Sequence, residues 1–307
     1  MAAIVTEALT KTYPGHGRPW QRGGEIRALH DLSIEVPEAE IFGFLGPNGA
    51  GKSTTIRLLL GFLHPTSGRA VVLGLDSATR SVEIRRQTGY LPGGIAFYDT
   101  MSGDEQLRYL SALDDRPAPL RAELIERMEL SDRDLRRQIR DYSRGMRQKI
   151  GIIQAFQHDP ELAILDEPTE GLDPLMQRSF YDILDDRKRA GRTIFLSSHI
   201  LSEVERVCDR VAIVRRGELV ALNDVGELLR RHRRRVEIRF SGVAPDLAHV
   251  PGISELALRE GVLTCQLEGD PSAFVEALQG SRIHDLLIEP ARLEEAFMEY
   301  YADEAPE

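Results

Sequence analysis

The chain has 307 residues, and its 39 lysines and arginines are outnumbered by 49 aspartates and glutamates, giving a formal net charge of -10 at pH 7. This balance argues against a general nucleic-acid-binding protein, because non-specific phosphate binding needs an excess of cations on the contacting face. With 42% hydrophobic and 29% charged residues, the composition excludes a disordered or fibrous chain. The length predicts one large domain and a smaller one.

The two cysteines and the absence of apolar segments bear on the cellular setting. Cys208 and Cys265 are far apart and have no CxxC or histidine-spaced companions, which indicates neither a disulfide framework nor a zinc site. No apolar run approaches the roughly 20 residues of a membrane-spanning helix, and the first residues lack a secretory pattern. We therefore expect a reduced, cytoplasmic setting, and any work at a membrane would need a separate membrane chain.

Between residues 3 and 220, short apolar or β-branched runs alternate with helix-length segments, which predicts an α/β sheet. The runs are "EIFGFL", "RAVVLG", "ELAILD", "RTIFLSS" and "RVAIVRRGELVAL". Two of them, "IFGFL" and "LAILD", are apolar on both faces, as in central parallel strands covered by helices. Residues 103–158 have helical spacing and no strand pattern, so we predict a helical subdomain inserted at about 95–158.

The stretch "GPNGAGKST" follows the predicted strand "IFGFL" directly and matches the pattern G-x-x-x-x-G-K-[ST]. Its glycines allow successive backbone N–H groups to converge on a phosphate, Lys52 reaches the β- and γ-phosphate oxygens, and Ser53 offers a hydroxyl to Mg²⁺. The predicted nucleotide-binding residues of this loop are Gly46, Pro47, Asn48, Gly49, Ala50, Gly51, Lys52, Ser53 and Thr54.

Polar residues end two further predicted strands. Asp166 and Glu167 follow "LAIL", at the carboxyl end of a strand, where open α/β sheets bind their ligands. We predict that Asp166 holds Mg²⁺ through water and that Glu167 orients or deprotonates the attacking water. The run "RTIFLSSH" ends in His199, for which we predict a contact with the γ-phosphate.

A second polar cluster, "YSRGMRQK" at residues 142–149, combines three cations with a serine and a glycine. Together with the phosphate loop, "LDEPTEGLD" and "SSH", it resembles the nucleotide-binding subunits of ABC transporters, and most of all the ATP-binding subunits of ABC-2 type drug exporters. The resemblance implies a P-loop NTPase core of the ABC type, a need for ATP and Mg²⁺, and a head-to-tail dimer. In such a dimer, each ATP lies between one subunit's phosphate loop and the partner's signature segment.

The resemblance also implies roles for four residues outside the phosphate loop. Ser143 and Gly145 match the signature residues that touch the γ-phosphate of the ATP held by the other subunit, at a helix start where anions are favoured. Tyr13 would stack on adenine. Asp173 matches the loop through which the two subunits sense each other.

The chain departs from the family pattern in two places. The signature, usually Leu-Ser-Gly-Gly-Gln, reads Tyr-Ser-Arg-Gly-Met here, a change that is common in the drug-export branch. The position after "YLP" is Gly93, where the family carries glutamine or glutamate. That side chain helps to place Mg²⁺ or water and links the nucleotide to the membrane partner, so its absence concerns coupling more than ATP binding.

Residues 229–307 predict a second domain after an ATPase domain at 1–228. The arginine-rich run at residues 230–235 is interpreted as a solvated linker or as a contact for anionic lipid or an acidic partner. Strand and helix patterns then follow in the order βαββαβ, which predicts a small ferredoxin-like α+β domain. It is interpreted as a packing module or as a regulatory site. The predicted elements are a strand at 235–241, a short helix near Asp246, strands at 253–259 and 262–268, the helix "DPSAFVEAL", the strand "RIHDLLIE" and the helix "ARLEEAFMEYY".

These features favour one function over two others. The resemblance implies an ATP-hydrolysing subunit at the cytoplasmic face of the plasma membrane, forming a homodimer because every motif is intact, and driving export of a drug or antibiotic through a separate integral membrane permease. Lipid-linked polysaccharide, haem or an ion are alternative cargoes. An ABC-type ATPase acting on ribosomes or nucleic acid usually carries two cassettes or a long coiled coil, so no nucleic-acid partner is expected. A small-molecule kinase would not explain the signature segment.

Overall fold

The computed structural model describes residues 1–14, 25–113, 117–231, 234–259 and 261–289. The chain divides into two compact units, Met1–Leu222 and Asn223–Glu307, and the predicted domain boundary after residue 228 falls just inside the second unit. The predicted last helix, residues 291–301, lies outside the described residues.

The elements of the first unit follow the predicted alternation. Its strands are β1 (Ala2–Tyr13), β2 (Ile26–Leu32), β3 (Glu35–Pro37), β4 (Ile41–Leu45), β5 (Ser67–Val72), β6 (Leu75–Asp76), β7 (Thr88–Leu91), β8 (Leu162–Asp166), β9 (Thr193–Ser198), β10 (Arg210–Arg215) and β11 (Glu218–Asp224). Its helices are α1 (Lys52–Leu59), α2 (Ser81–Gln87), α3 (Gly103–Ala112), α4 (Arg121–Arg127), α5 (Asp132–Arg136), α6 (Arg144–Phe156), α7 (Pro174–Arg189) and α8 (Leu201–Val207), with a 3₁₀ turn at Ile139–Asp141.

A six-stranded sheet in the order β11-β10-β4-β9-β8-β7 forms the centre of this unit. From β10 to β7 the neighbouring strands are parallel. Every residue of β4, β8 and β9 is buried, because helices pack against these strands. The rings of Phe42 and Phe44 lie 5.8 and 5.3 Å from that of Phe195. The carboxyl ends of β4, β8 and β9 therefore meet at one edge.

A second, antiparallel sheet in the order β2-β1-β5-β6, with β3 paired to β1, completes the strands of this unit. The run "RAVVLG" falls in β5 and so belongs to this sheet rather than to the parallel one. Only Ala70 and Val72 are buried in β5, whereas the central strands are buried throughout. The sequence predicted the strand, but an apolar run does not by itself identify its sheet.

The helices α3 to α6 lie between β7 and β8 in the chain, within the predicted insertion. Two of them begin with reciprocal caps: Ser102 and Glu105 at α3, and Ser131 and Asp134 at α5, exchange hydrogen bonds between side chain and backbone. Ser143 caps helix α6: its hydroxyl accepts a hydrogen bond of 3.2 Å from the backbone N–H of Met146 in the first turn. The caps set the residue at which each helix starts.

The second unit contains α9 (Val225–Arg231), β12 (Arg234–Ser241), β13 (Ile253–Arg259), β14 (Val262–Leu267), α10 (Ser272–Ala277) and β15 (Arg282–Glu289). Its strands form an antiparallel sheet in the order β13-β14-β12-β15, which is the ferredoxin-like order. The core includes Val236, Ile238, Leu267 and Phe274, each fully buried.

The predicted short helix near Asp246 is wrong. Residues 242–252 connect β12 to β13 without a helix. The Asp246 carboxylate accepts a 3.2 Å hydrogen bond from the backbone N–H of Ala248, a local turn that competes with helix formation. Pro245 and Pro251 lie in the same segment and restrict it further.

Both cysteines are buried and unbonded to one another. Among the described residues, every helix is too short or too polar to cross a lipid bilayer.

Candidate functional site

The phosphate loop connects β4 to α1 in a conformation that depends on glycine. Gly49 and Gly51 have φ of 83° and 103°, in the region that glycine adopts without strain. A Cβ on Gly51 would lie 2.6 Å from the Ala28 carbonyl oxygen, and one on Gly46 would lie 2.3 Å from that of Val214. The glycine spacing predicted from the sequence therefore has a steric basis in the fold.

Lys52 begins α1 and is 6% exposed. Its Nζ donates to the Gly46 carbonyl oxygen at 2.7 Å and lies 3.3 Å from Oε1 of Glu167. A buried ammonium is costly unless such partners compensate for lost water. The two contacts hold the cation beside the loop, where it can meet an anionic ligand.

Asp166 ends β8, and hydroxyl groups contact both of its carboxylate oxygens. Ser53 Oγ donates to Oδ2 and Ser197 Oγ donates to Oδ1, each at 2.9 Å. The predicted pair of Ser53 and Asp166 is thus in direct contact. Ser197 was not predicted, although it is the first serine of the "SSH" motif and could have been found from the pairing of β8 with β9.

Glu167 leaves the strand in an unusual backbone conformation with φ of 51°. Its N–H donates to the Ser197 carbonyl oxygen at 3.0 Å, and its Oε2 lies 2.7 Å from Nδ1 of His199. A non-glycine residue in this region costs about 1 kcal/mol or more and persists where the surroundings hold it. The turn places the carboxylate between Lys52 and His199, whereas Asp166 faces Ser53, so the two adjacent acids are available for different roles.

Lys52, Asp166 and Glu167 border a cleft of about 410 Å³ at the carboxyl edge of the parallel sheet, whereas His199 does not line it and reaches it through its contact with Glu167. The predicted residues that line it are Pro47, Asn48, Gly49, Gly51, Lys52, Ser53, Thr54, Asp166 and Glu167. Gly46 and Ala50 do not line the cleft: Ala50 is 2% exposed, and Gly46 packs against Val214. The cleft has the size of a small-ligand site and concentrates polar groups for phosphate.

Tyr90 and Gly93 also line the cleft. Burial raises the pKa of the Tyr90 hydroxyl, and the negative charge of Asp166 raises it further. A Cβ on Gly93 would lie 3.3 Å from Oδ2 of Asp166. A side chain at this position, such as the glutamine or glutamate of the family, would therefore lie in tight contact with the predicted metal ligand.

The residues Ser53 and Asp166 fit a magnesium ion by their chemistry. Both supply oxygen atoms, and Mg²⁺ is usually held by one or two protein oxygens together with phosphate and water. Across the residues that the structure describes, no group of three or more histidine, cysteine, aspartate or glutamate side chains could hold a metal.

Tyr13 does not line this cleft. It ends β1, pairs with Ile26 of β2, and has the Nζ of Lys11 5.5 Å from its ring centroid. Ala28, two residues beyond Ile26, does line the cleft. Tyr13 is therefore near the cleft along the paired strand, and its contact with adenine stays a prediction.

The signature residues also lie outside the cleft. A Cβ on Gly145 would lie 2.8 Å from the Gly171 carbonyl oxygen, so α6 begins in close contact with the segment that follows Glu167. Arg144 pairs with Glu170, and Gln148 donates to the Pro168 carbonyl oxygen at 2.5 Å. The first turns of α6 therefore contact residues 168–171, the segment that directly follows Asp166 and Glu167.

Asp173 caps α7. Its carboxylate accepts hydrogen bonds of 3.0 Å from the backbone N–H groups of Leu175 and Met176. This cap has a local structural role. The predicted role of Asp173 in the contact between two subunits stays a prediction.

Comparisons with known proteins agree with the geometry. The family model described as ABC transporter matches residues 29–170. An uncharacterized ABC transporter ATP-binding protein of Nostoc sp. is 43% identical over 74% of this chain and 68% of its own length. The fluoroquinolones export ATP-binding protein of Mycobacterium tuberculosis is 35% identical over 96% of this chain and 92% of its own.

Among solved structures, a dimeric ATP-binding cassette in a post-hydrolysis state with ADP and phosphate has the same fold. It is 21% identical, covers 72% of this chain and 98% of its own, and has a TM-score of 0.65. The phosphate loop, the carboxylate pair and these relatives lead to one conclusion: the chain belongs to the ATP-binding proteins of ABC transporters, which bind and hydrolyse ATP.

Proposed function

We propose that two copies of this chain close around two ATP molecules and drive export of a drug or antibiotic through a separate integral membrane permease. The observation that carries the proposal is the convergence of Lys52, Ser53, Asp166, Glu167 and His199 at one edge of the sheet. The resemblance to a fluoroquinolone exporter subunit over nearly the whole chain supports the class of cargo.

The phosphate loop holds the ATP phosphates. Its N–H groups and the positive end of α1 favour an anion, and Lys52 is already fixed beside them. Ser53 and Asp166 would hold Mg²⁺, which when bound neutralises charge on the β- and γ-phosphates. The hydrogen bond from Ser53 to Asp166 keeps the two oxygen groups that would hold the metal 2.9 Å apart.

Glu167 and His199 act on the water and the γ-phosphate. Glu167 accepts or orients the proton of the attacking water, and its contact with Nδ1 of His199 sets the direction of both side chains. With Nδ1 turned to the carboxylate, Nε2 of His199 is left for the γ-phosphate. His199 is the more exposed of the pair, with 46% of its side chain accessible against 18% for Glu167.

The signature segment completes the site of the other subunit. Ser143 and Gly145 do not line their own cleft, and they stand at the start of a 13-residue helix whose N–H groups favour an anion. A second copy placed head to tail would bring this helix start to the γ-phosphate. Tyr13 on adenine and Asp173 at the subunit contact belong to the same arrangement.

In this proposal the membrane permease docks in a groove beside the nucleotide cleft, and the protein is peripheral at the cytoplasmic face of the plasma membrane. The groove, about 420 Å³, is lined mainly by apolar residues that include Ile95 and Leu110. It shares Tyr90 and Pro92 with the nucleotide cleft, so changes at the nucleotide can reach it. Tyr98, at its rim, is 54% exposed and offers apolar surface to a partner.

Dimerisation is tested by the mass of two variants in solution. Glu167→Gln with ATP and Mg²⁺ should accumulate at twice the monomer mass in light scattering, because ATP binds but is not consumed. Lys52→Ala is the matched control and should stay monomeric. A Glu167→Gln protein that binds ATP yet remains monomeric would contradict the proposal.

A mixed dimer tests whether the signature acts in trans. One subunit carries Ser143→Arg and the other Lys52→Ala, and each homodimer should be inactive. If the signature serves the partner's ATP, the mixed dimer keeps one composite site without a lesion and recovers about half of the wild-type rate. If it acts within its own subunit, every site carries a lesion and no activity returns.

The docking groove is tested by Tyr98→Asp in a pull-down with the candidate permease. A charge at this exposed apolar position should abolish association without lowering the basal ATPase rate. Val243→Asp is the matched control, since Val243 is 88% exposed in the second unit. Equal loss for both variants would count against the groove.

A further inference from the structure

Glu203 is a buried carboxylate that belongs neither to the phosphate loop nor to the proposed metal ligands. It lies in α8 and is 4% exposed. It accepts hydrogen bonds from two hydroxyls: Thr169 Oγ1, and Ser198 Oγ at 2.8 Å. Burial raises the pKa of Glu203, and these two hydrogen bonds oppose that increase. Burying a carboxylate costs free energy unless hydrogen bonds compensate for the lost water, so the contacts that Glu203 makes bear on its role.

The two hydroxyls flank the catalytic pair. Thr169 follows Glu167 by two residues, and Ser198 directly precedes His199. Ser198 Oγ also accepts a 2.9 Å hydrogen bond from the backbone N–H of Ile200, which fixes the turn on both sides of the histidine. The side chain of Glu203 thus connects the chain leaving β8 to the chain leaving β9.

The connection closes a ring. Oε2 of Glu167 lies 2.7 Å from Nδ1 of His199. Hydrogen bonds from Thr169 and Ser198 to Glu203 form a second connection between the same two segments. Glu167 occupies a backbone region that needs support from its surroundings, with φ of 51°. The second connection supplies support at the two points where the chain leaves the sheet.

We propose that Glu203 is a positioning residue for ATP hydrolysis, whose carboxylate holds the segments after β8 and β9 so that Glu167 and His199 meet. The proposal rests on the roles proposed above for those two residues. Glu203 does not touch the nucleotide cleft, so it acts through its two hydroxyl partners. A displacement of about 1 Å at a catalytic group is enough to cost about 100-fold in rate.

The test compares Glu203→Ala with Glu203→Gln. The alanine variant should lower kcat about 10- to 100-fold and leave both the KM for ATP and the affinity for a fluorescent ATP analogue within about twofold. Glutamine should restore most of kcat, because its amide oxygen accepts from one hydroxyl and its amide N–H donates to the other. Glu205→Ala, on the same helix, is the control and should keep wild-type kinetics.

Equal losses for alanine and glutamine, or a raised KM with normal kcat, would overturn the proposal. If Glu203→Ala fails to fold, Thr169→Val and Ser198→Ala remove the same hydrogen bonds from the donor side. Their combined loss in kcat should equal that expected for the alanine variant. Normal kcat in the double variant would overturn the proposal as well.

A second comparison separates this proposal from the catalytic assignments. Adding Glu203→Ala to the double variant Glu167→Gln/His199→Ala should lower the residual rate no further, because both side chains to be positioned are already changed. A full additional loss would show that Glu203 acts elsewhere. If His199→Ala and Glu167→Gln alone keep wild-type rates, the proposed catalytic roles fail, whatever Glu203 does.

Discussion

The two units of this chain differ in how polar side chains are distributed along their strands. In the first unit, the parallel strands β4, β8 and β9 are buried along their length, and the polar groups of the site come at or just after their carboxyl ends. In the second unit, the antiparallel strand β14 alternates buried and half-buried residues. The first arrangement collects side chains from several strands at one edge, whereas the second spreads them over a face.

Among the described residues, this difference explains why the recognisable site lies in the first unit. Asp166 and His199 come from strands that are neighbours in the sheet but separated in sequence, and the shared direction of the strands brings them together. The second unit has a compact apolar core around Phe274. Its exposed face shows no comparable convergence among the described residues.

The largest effect is expected at the catalytic carboxylate. Glu167→Gln should lower kcat for ATP hydrolysis on the order of 1000-fold or more, because an amide cannot take a proton from water. Glu237→Gln, in the sheet of the second unit, is the matched control. Steady-state phosphate release measures both, and a comparable loss in the control would erase the contrast between the units.

Removing a core ring should separate the units by stability. Phe274→Ala should destabilise the second unit by about 3–5 kcal/mol, because it loses buried area and leaves a cavity, while basal kcat stays near wild type. Phe195→Ala removes a ring stacked between strands of the first unit and should lower both stability and activity. Denaturant unfolding together with ATPase assays checks both. Loss of activity in Phe274→Ala would show that the second unit supports the site.

A smaller effect is expected at Asp159, which holds the turn between α6 and β8. Arg192 and Arg187 contact its carboxylate, and the hydrogen bond from Arg192 contributes most to lowering its pKa below the ordinary 3.8. Asp159→Asn should cost about 1 kcal/mol at pH 7.

The pH dependence of that difference has a definite sign. A lowered pKa means that the charged form stabilises the fold above pH 3.8, and that this contribution is lost as the pH falls through the lowered value. Wild type and Asp159→Asn should therefore converge in thermal midpoint in strong acid. A constant difference across the range would contradict the ion-pair explanation.

The smallest effect is expected at Gly93. A side chain there meets Asp166 Oδ2 at a tight but adjustable 3.3 Å, so Gly93→Gln should change the basal activation free energy by less than about 1 kcal/mol. Any larger change should appear in stimulation by the permease, measured in reconstituted vesicles. Unchanged stimulation would show that this position is not the link to the membrane partner.

Sequence alone predicted the phosphate loop, the acids Asp166 and Glu167, and His199, together with the strand that precedes each of them. It could do so because each motif follows an apolar run that is typical of a buried strand. It also predicted the strands of the second unit, which pair in one antiparallel sheet. It was wrong about a helix near Asp246, where a local turn competes. It did not place "RAVVLG" in its sheet, because strand pairing depends on residues far along the chain.

The amino-acid order therefore determined which residues are available for phosphate chemistry, since spacing and residue type suffice for a loop that binds through its own backbone. Only the tertiary structure decided that Ser197 holds Asp166 and that Glu203 joins Thr169 to Ser198. Those contacts cross between strands and a helix. The physical reason is that a hydrogen bond between distant segments exists only when sheet pairing and helix packing bring its two atoms within about 3 Å.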